Sequence, residues 1–88
     1  MTESQINPKG ETKMKLKNIG SNMTELQIKG VSVLFSYETP VAGWDDQGAF
    51  RTDTHYSPTT SKHINKYLGG KDMGRVVPQN TINKLVGV

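Results

Sequence analysis

The sequence contains no cysteine. That absence excludes a disulfide framework, a thiolate zinc site, an iron–sulfur cluster and a cysteine nucleophile together. No apolar run approaches the ~20 residues that a membrane helix needs. The opening stretch, MTESQINPKGETK, has no apolar h-region of the kind a signal peptide carries. Bulky apolar side chains are scarce as well: hydrophobic residues make up 33% of the 88, with one Trp and two Phe, against about 45% apolar in an average soluble domain. A chain of this size and composition builds one thin-cored domain and encloses no large ligand. The expectation is a cytoplasmic protein with no membrane partner, no cofactor and no bound metal.

What is present is a mild excess of positive charge, +3 overall, and it is unevenly placed. Residues 1–44 hold five Lys against four acidic residues. Residues 51–75 hold Arg51, Lys62, Lys66, Lys71 and Arg75 against Asp53 and Asp72, with His55 and His63 in the same stretch. The excess therefore belongs to one segment, which is what a nucleic-acid contact requires of a modestly basic chain.

Hydropathy patterning divides the chain. Residues 1–13 carry only Met1 and Ile6 as sizeable apolar side chains, and Pro8 and Gly10 interrupt any regular element; the composition predicts a disordered leader. The folded domain is expected over 14–88. Residues 14–19 alternate apolar and polar with period two, as a half-buried strand does. Leu26 and Ile28, then Val31, Val33, Phe35 and Tyr37, continue that alternation on either side of Lys29-Gly30, a pair suited to a tight hairpin because Gly tolerates positive φ. Thr39-Pro40 reads as the end of that strand, since Pro cannot donate to a ladder. A wide loop bearing Trp44 is expected over 41–47, and a further strand over 49–56.

Ser57-Pro58-Thr59-Thr60-Ser61 is rich in helix-starting chemistry. A helix should run over 59–68, with Ile64, Tyr67 and Leu68 on its apolar stripe and Gly69-Gly70 as its stop. A short extended piece at Arg75-Val76-Val77 and a second short helix over 78–86 follow. The fold class expected is α+β: a mainly antiparallel sheet of three to four strands with two short helices on one face. Self-association through Val31, Val33 or Leu34 is a further expectation for so thin a core.

No arrangement of chemistry-bearing residues stands out as catalytic. His55 and His63, with Asp45, Asp46 and Asp53, match no metal-ligand spacing. Ser57, Thr59 and Ser61 are explained as capping groups, and no nucleophile elbow is present. Gly43, Gly48, Gly69 and Gly70 lack the spacing of a phosphate loop and read as hinges and a helix stop. Trp44 is more informative. It either folds back onto the sheet or acts as a contact anchor, with Asp45 and Asp46 beside it. Segment 51–75 offers the alternative surface: Arg51, His55, Lys62, His63, Lys66, Lys71 and Arg75 around a helix N-terminus, able to attract phosphate or carboxylate.

Gly20-Ser21-Asn22 with Thr24-Glu25, the block Val33-Leu34-Phe35-Ser36-Tyr37-Glu38-Thr39-Pro40-Val41-Ala42, Arg51-Thr52, and the block Thr59-Thr60-Ser61-Lys62-His63-Ile64-Asn65-Lys66-Tyr67-Leu68 resemble a group of small, functionally uncharacterised proteins of tailed bacteriophages. The likeness spans roughly residues 14–85. It implies a phage product acting in the cytoplasm of the infected bacterial host, where small basic proteins that are not enzymes bind host machinery or nucleic acid. Two functions follow as expectations. The first is a binding protein that modulates or inhibits a host protein or defence complex, anchored by Trp44, Asp45 and Asp46. The second is a nucleic-acid-associated module using Arg51, Lys62, Lys66, Lys71 and Arg75.

Overall fold

A computed structural model describes residues 14–87; the disordered leader expected over 1–13 lies outside the described residues. The chain runs β1 (Met14–Gly20), β2 (Met23–Ile28), β3 (Val31–Ser36), β4 (Thr39–Asp45), β5 (Gly48–Thr52), α1 (Pro58–Leu68), β6 (Arg75–Val77) and α2 (Gln79–Leu85). All six strands form one sheet in sequence order. The first five are antiparallel neighbours, and β6 pairs with β5 in parallel. The sheet is therefore mixed and six-stranded, which corrects the expected count of three to four.

The correction has a local cause. Each antiparallel connection is a turn of two residues, at 21–22, 29–30, 37–38 and 46–47. Lys29 and Gly30 both adopt positive φ, 51° and 77°, the backbone that matches the twist of the flanking strands. Tyr37 does the same at 57°, so a bulky residue occupies a turn position that no Gly marks. Pro40 does not end a strand. It sits inside β4 opposite Phe35, where the β3–β4 register shifts through a bulge, and a bulge is where a sheet tolerates a residue without an N–H. The stretch expected as a wide Trp44 loop is thus strand β4 and the turn after it. Beyond Thr52 no strand continues to Tyr56: Asp53 donates its N–H to the Val77 carbonyl at 2.9 Å, and the chain turns toward α1.

The two helices cover opposite faces, which corrects the expectation of one shared face. Neighbouring residues on a strand point to opposite sides of a sheet, and Val33 and Leu34 separate accordingly. Leu34 packs with Met23, Ala42, Ile64 and Leu68 beneath α1, whereas Val33 packs with Leu26, Phe50 and Ile82 beneath α2. Val33 and Leu34 are both 0% exposed, so neither can serve the self-association proposed for them; Val31 is half-buried. Burying side chains of this size contributes about 1.5–3 kcal/mol each, and the core is split between two thin layers.

Helix α1 begins and ends as its sequence dictates. The Ser57 hydroxyl accepts from the Thr60 N–H at 3.1 Å, Pro58 occupies the first turn, and Gly69 at φ 93° closes the helix by donating to the Asn65 carbonyl. Helix α2 has no side-chain cap. It is held by Ile82 and by Gln79, whose Nε2 donates to the Pro40 carbonyl at 2.7 Å.

Candidate functional site

The sheet register sets which chemistry-bearing side chains can act together. Trp44 lies opposite Ser32 and Ala49, and Ser32 lies opposite Gln27, which faces Lys15. A row Lys15–Gln27–Ser32–Trp44–Ala49 therefore crosses the α1-covered face. Ala49 borders the core beneath α1, which fixes that row on the α1 side. Trp44 is 40% exposed, so its side chain is partly covered by the protein and partly in solvent.

Trp44 and its acidic neighbours do not form one cluster. Asp45 is the next residue along β4 and points to the other face, where it is ion-paired with Arg75. That pairing holds the Asp45 carboxyl below the usual carboxylate range, mainly through its hydrogen bond with the Arg75 guanidinium. Asp45 also accepts from the Gln47 N–H at 2.8 Å and shapes the turn, while Asp46 is exposed at its tip. The Arg75 guanidinium lies 5.8 Å from the centre of the Phe50 ring. Asp45 and Arg75 are thus engaged with each other at the sheet rim.

Arg51 is engaged more fully. Its Nε donates to the Met73 carbonyl at 2.8 Å, its Nη1 to Asn65 Oδ1 at 3.1 Å, and its Nη2 to the Gly70 carbonyl at 2.9 Å. The side chain ties β5 to the last turn of α1 and to the connection that leads into β6. A guanidinium whose donors already have three internal acceptors is a poor phosphate ligand.

His63 and His55 also separate. His63 Nδ1 lies 2.8 Å from the Ser36 hydroxyl, which lies 3.0 Å from Thr60 Oγ1. A Ser–His pair invites a nucleophilic reading, but Ser36 is only 2% exposed, and a hydroxyl sealed between β3 and α1 cannot meet a substrate. The trio is a polar clamp. Tyr37 leans over the imidazole with ring centres 5.8 Å apart. His55 is exposed, 3.5 Å from the Ser61 hydroxyl. Among the described residues no group of three or more His, Cys, Asp or Glu could hold a metal ion.

Lys62 and Lys66 stand on the ridge of α1 that faces away from the sheet, opposite Ile64 and Leu68, and Lys71 is exposed in the turn after the helix. Sequence reasoning missed two further exposed lysines on the same side of the sheet. Lys15 and Lys17 alternate with Met14 and Leu16 on β1 and occupy the α1 side of the sheet, Lys17 lying opposite Glu25. The alternation was visible in the sequence; placing Lys15 in the same row as Trp44, with β2 and β3 between them, required the register of four strands. Glu25 itself accepts from the Tyr67 hydroxyl at 2.6 Å. Burial foremost, and then this bond to a carboxylate, push the Tyr67 hydroxyl well above its ordinary value.

Among the described residues no helix is long and apolar enough to cross a membrane. A model described as a family of unknown function (DUF8033) matches residues 14–84. No curated protein and no solved structure matches the chain.

Proposed function

Since this chain belongs to that family of unknown function, its role has to be argued from its surface, and we propose that it is a non-catalytic binding module that attaches to a partner protein through Trp44. The observation that carries the reading is the placement of the sole Trp, 40% exposed, on an interior strand of a six-stranded sheet. A Trp there presents a large amphipathic surface with little conformational freedom left to lose, which is the profile of an interface anchor. Ser32, Gln27 and Lys15 extend the surface along the same row as a polar rim. The resemblance to phage proteins supplies the setting: the partner is a protein of the infected bacterial host, and binding modulates or inhibits it.

The nucleic-acid reading loses two of its five cations, because Arg51 and Arg75 bond internally. Lys62, Lys66 and Lys71 remain. A contact with three phosphates would show a log–log salt slope of about −2 to −3.

The test is capture from bacterial lysate by the wild-type chain, Trp44→Ala and Lys62→Glu/Lys66→Glu, each with and without nuclease, alongside direct titration of random DNA and RNA. The expected result is a protein retained after nuclease treatment and lost with Trp44→Ala. Capture that vanishes with nuclease and with the Lys variant, while Trp44→Ala keeps it, would hand the role to the nucleic-acid module.

A further inference from the structure

Among the described residues the sheet order leaves β1 at one edge, and we propose that its outer edge receives an extended segment of another protein, one with acidic residues on one face and apolar residues on the other. This edge shares Lys15 with the rim of the Trp44 surface but does not use Trp44 itself, and the proposal goes beyond that reading.

Backbone groups along the outer side of an edge strand offer a ladder to any extended chain, and the side chains beside them choose which chain fits. On β1 those side chains alternate sharply. Met14 and Leu16 are 62% and 71% exposed, and Lys15 and Lys17 are exposed on the other face. The register is regular from Met14 to Asn18 and then shifts toward Gly20. The straight stretch is therefore five residues, about 17 Å at strand rise. The opposite edge, β6, has three residues, and its Arg75 is committed to Asp45.

The inner side of β1 already displays the complement that these residues select. Within β2, Glu25 lies opposite Lys17, Leu26 opposite Leu16, Gln27 opposite Lys15 and Ile28 opposite Met14. A strand on the outer side faces the same four side chains and is selected by the same chemistry: acidic residues across from the two lysines and apolar residues across from Leu16 and Met14. A second copy of this chain fits poorly. Antiparallel pairing of β1 with itself that keeps the apolar faces together brings lysines across from lysines, and like charges placed opposite each other repel. Charge complementarity therefore selects an acidic partner strand.

The probe is a capped peptide, Thr-Glu-Leu-Glu-Ile-Thr, with Thr-Lys-Leu-Lys-Ile-Thr as control, added to the full chain. The variant is Lys15→Glu/Lys17→Gln; Lys17 becomes Gln because Glu25 lies opposite it. Both residues are exposed, and an unchanged circular dichroism spectrum verifies the fold. The acidic peptide is expected to shift the amide resonances of residues 14–18, to slow their hydrogen exchange, and to bind the variant about tenfold more weakly. Trp44→Ala should bind it as the wild type does. Equal binding of the two peptides, shifts confined to other strands, loss of binding in Trp44→Ala, or a wild-type dimer that the acidic peptide leaves intact would each overturn the proposal.

Discussion

On one face of the sheet α1 is fastened by directional polar contacts: Ser36 to Thr60 and His63, Tyr67 to Glu25, and Arg51 to Asn65. On the other face α2, seven residues long and uncapped, is seated by Ile82 against Leu26, Val33 and Phe50, with Gln79 as its main polar tie. Both helices cover an apolar core; what differs is the polar ties, which come from several residues along α1 and run through Gln79 alone, to Pro40 and Thr52, in the described contacts of α2. The α1 face carries Trp44 and the helix lysines, and apolar burial is shared between the two faces.

The comparison would break first on the α2 face. Ile82 is 0% exposed, and Ile82→Ala is expected to cost about 2–5 kcal/mol, a large share of the ~5–15 kcal/mol by which domains are stable. Gly43→Ala is expected to rank beside it: an added Cβ would lie 2.2 Å from the Ser32 carbonyl oxygen and 2.5 Å from the Phe50 ring, so strand and ring must both move. Thermal and urea unfolding measure both variants. Ser36→Ala comes next at about 1–3 kcal/mol, because it leaves the buried Thr60 hydroxyl and the His63 nitrogen without their shared partner. If Ser36→Ala proves costlier than Ile82→Ala, the division of labour between the faces is wrong.

A smaller effect sharpens the picture through pH. The Tyr67 hydroxyl titrates above its ordinary value in the folded protein, so the folded state holds that proton more tightly than the unfolded chain does. Its contribution is complete below the ordinary tyrosine range and is lost as pH rises through and beyond that range. Stability followed into alkaline pH should therefore fall, and Tyr67→Phe, costing about 1 kcal/mol at neutral pH, should flatten the fall. Smallest is Asp45→Asn at the rim of the α2 face. An exposed ion pair contributes about 0–1 kcal/mol, and because the Asp45 pKa is lowered, its share is present above the usual carboxylate range and lost as pH falls through it. Denaturant midpoints at neutral and acid pH would show the variant's deficit vanish in acid.

The parts legible in the sequence were those with a local cause. The cap at Ser57, the stop at Gly69 and the hairpin at Lys29-Gly30 follow from side chains within a few residues. Strand β4 was hidden because Pro40 carries a terminator's chemistry and only the bulge opposite it makes it tolerable. The turn at Tyr37 was hidden because an aromatic residue adopts a backbone usually left to Gly or Asn. At the site, the basic character of 51–75 was readable, whereas the sequence left Trp44 open between packing on the sheet and exposure. The internal use of Arg51 and Arg75 was not readable, since their acceptors Met73, Gly70, Asn65 and Asp45 are brought to them by α1 and the parallel strand.

That parallel strand has a kinetic meaning. Five strands joined by two-residue turns can assemble by successive nearest-neighbour zippering, with short loops to close at each step. Strand β6 is joined differently: its partner β5 precedes it by a whole helix, so closing this pair costs more chain entropy than closing a two-residue turn. Arg51 bonds both the helix end and the returning chain and so ties that long connection to β5. The sheet's long-range closure thus lies at the edge opposite β1, where the local turns of the meander do not reach.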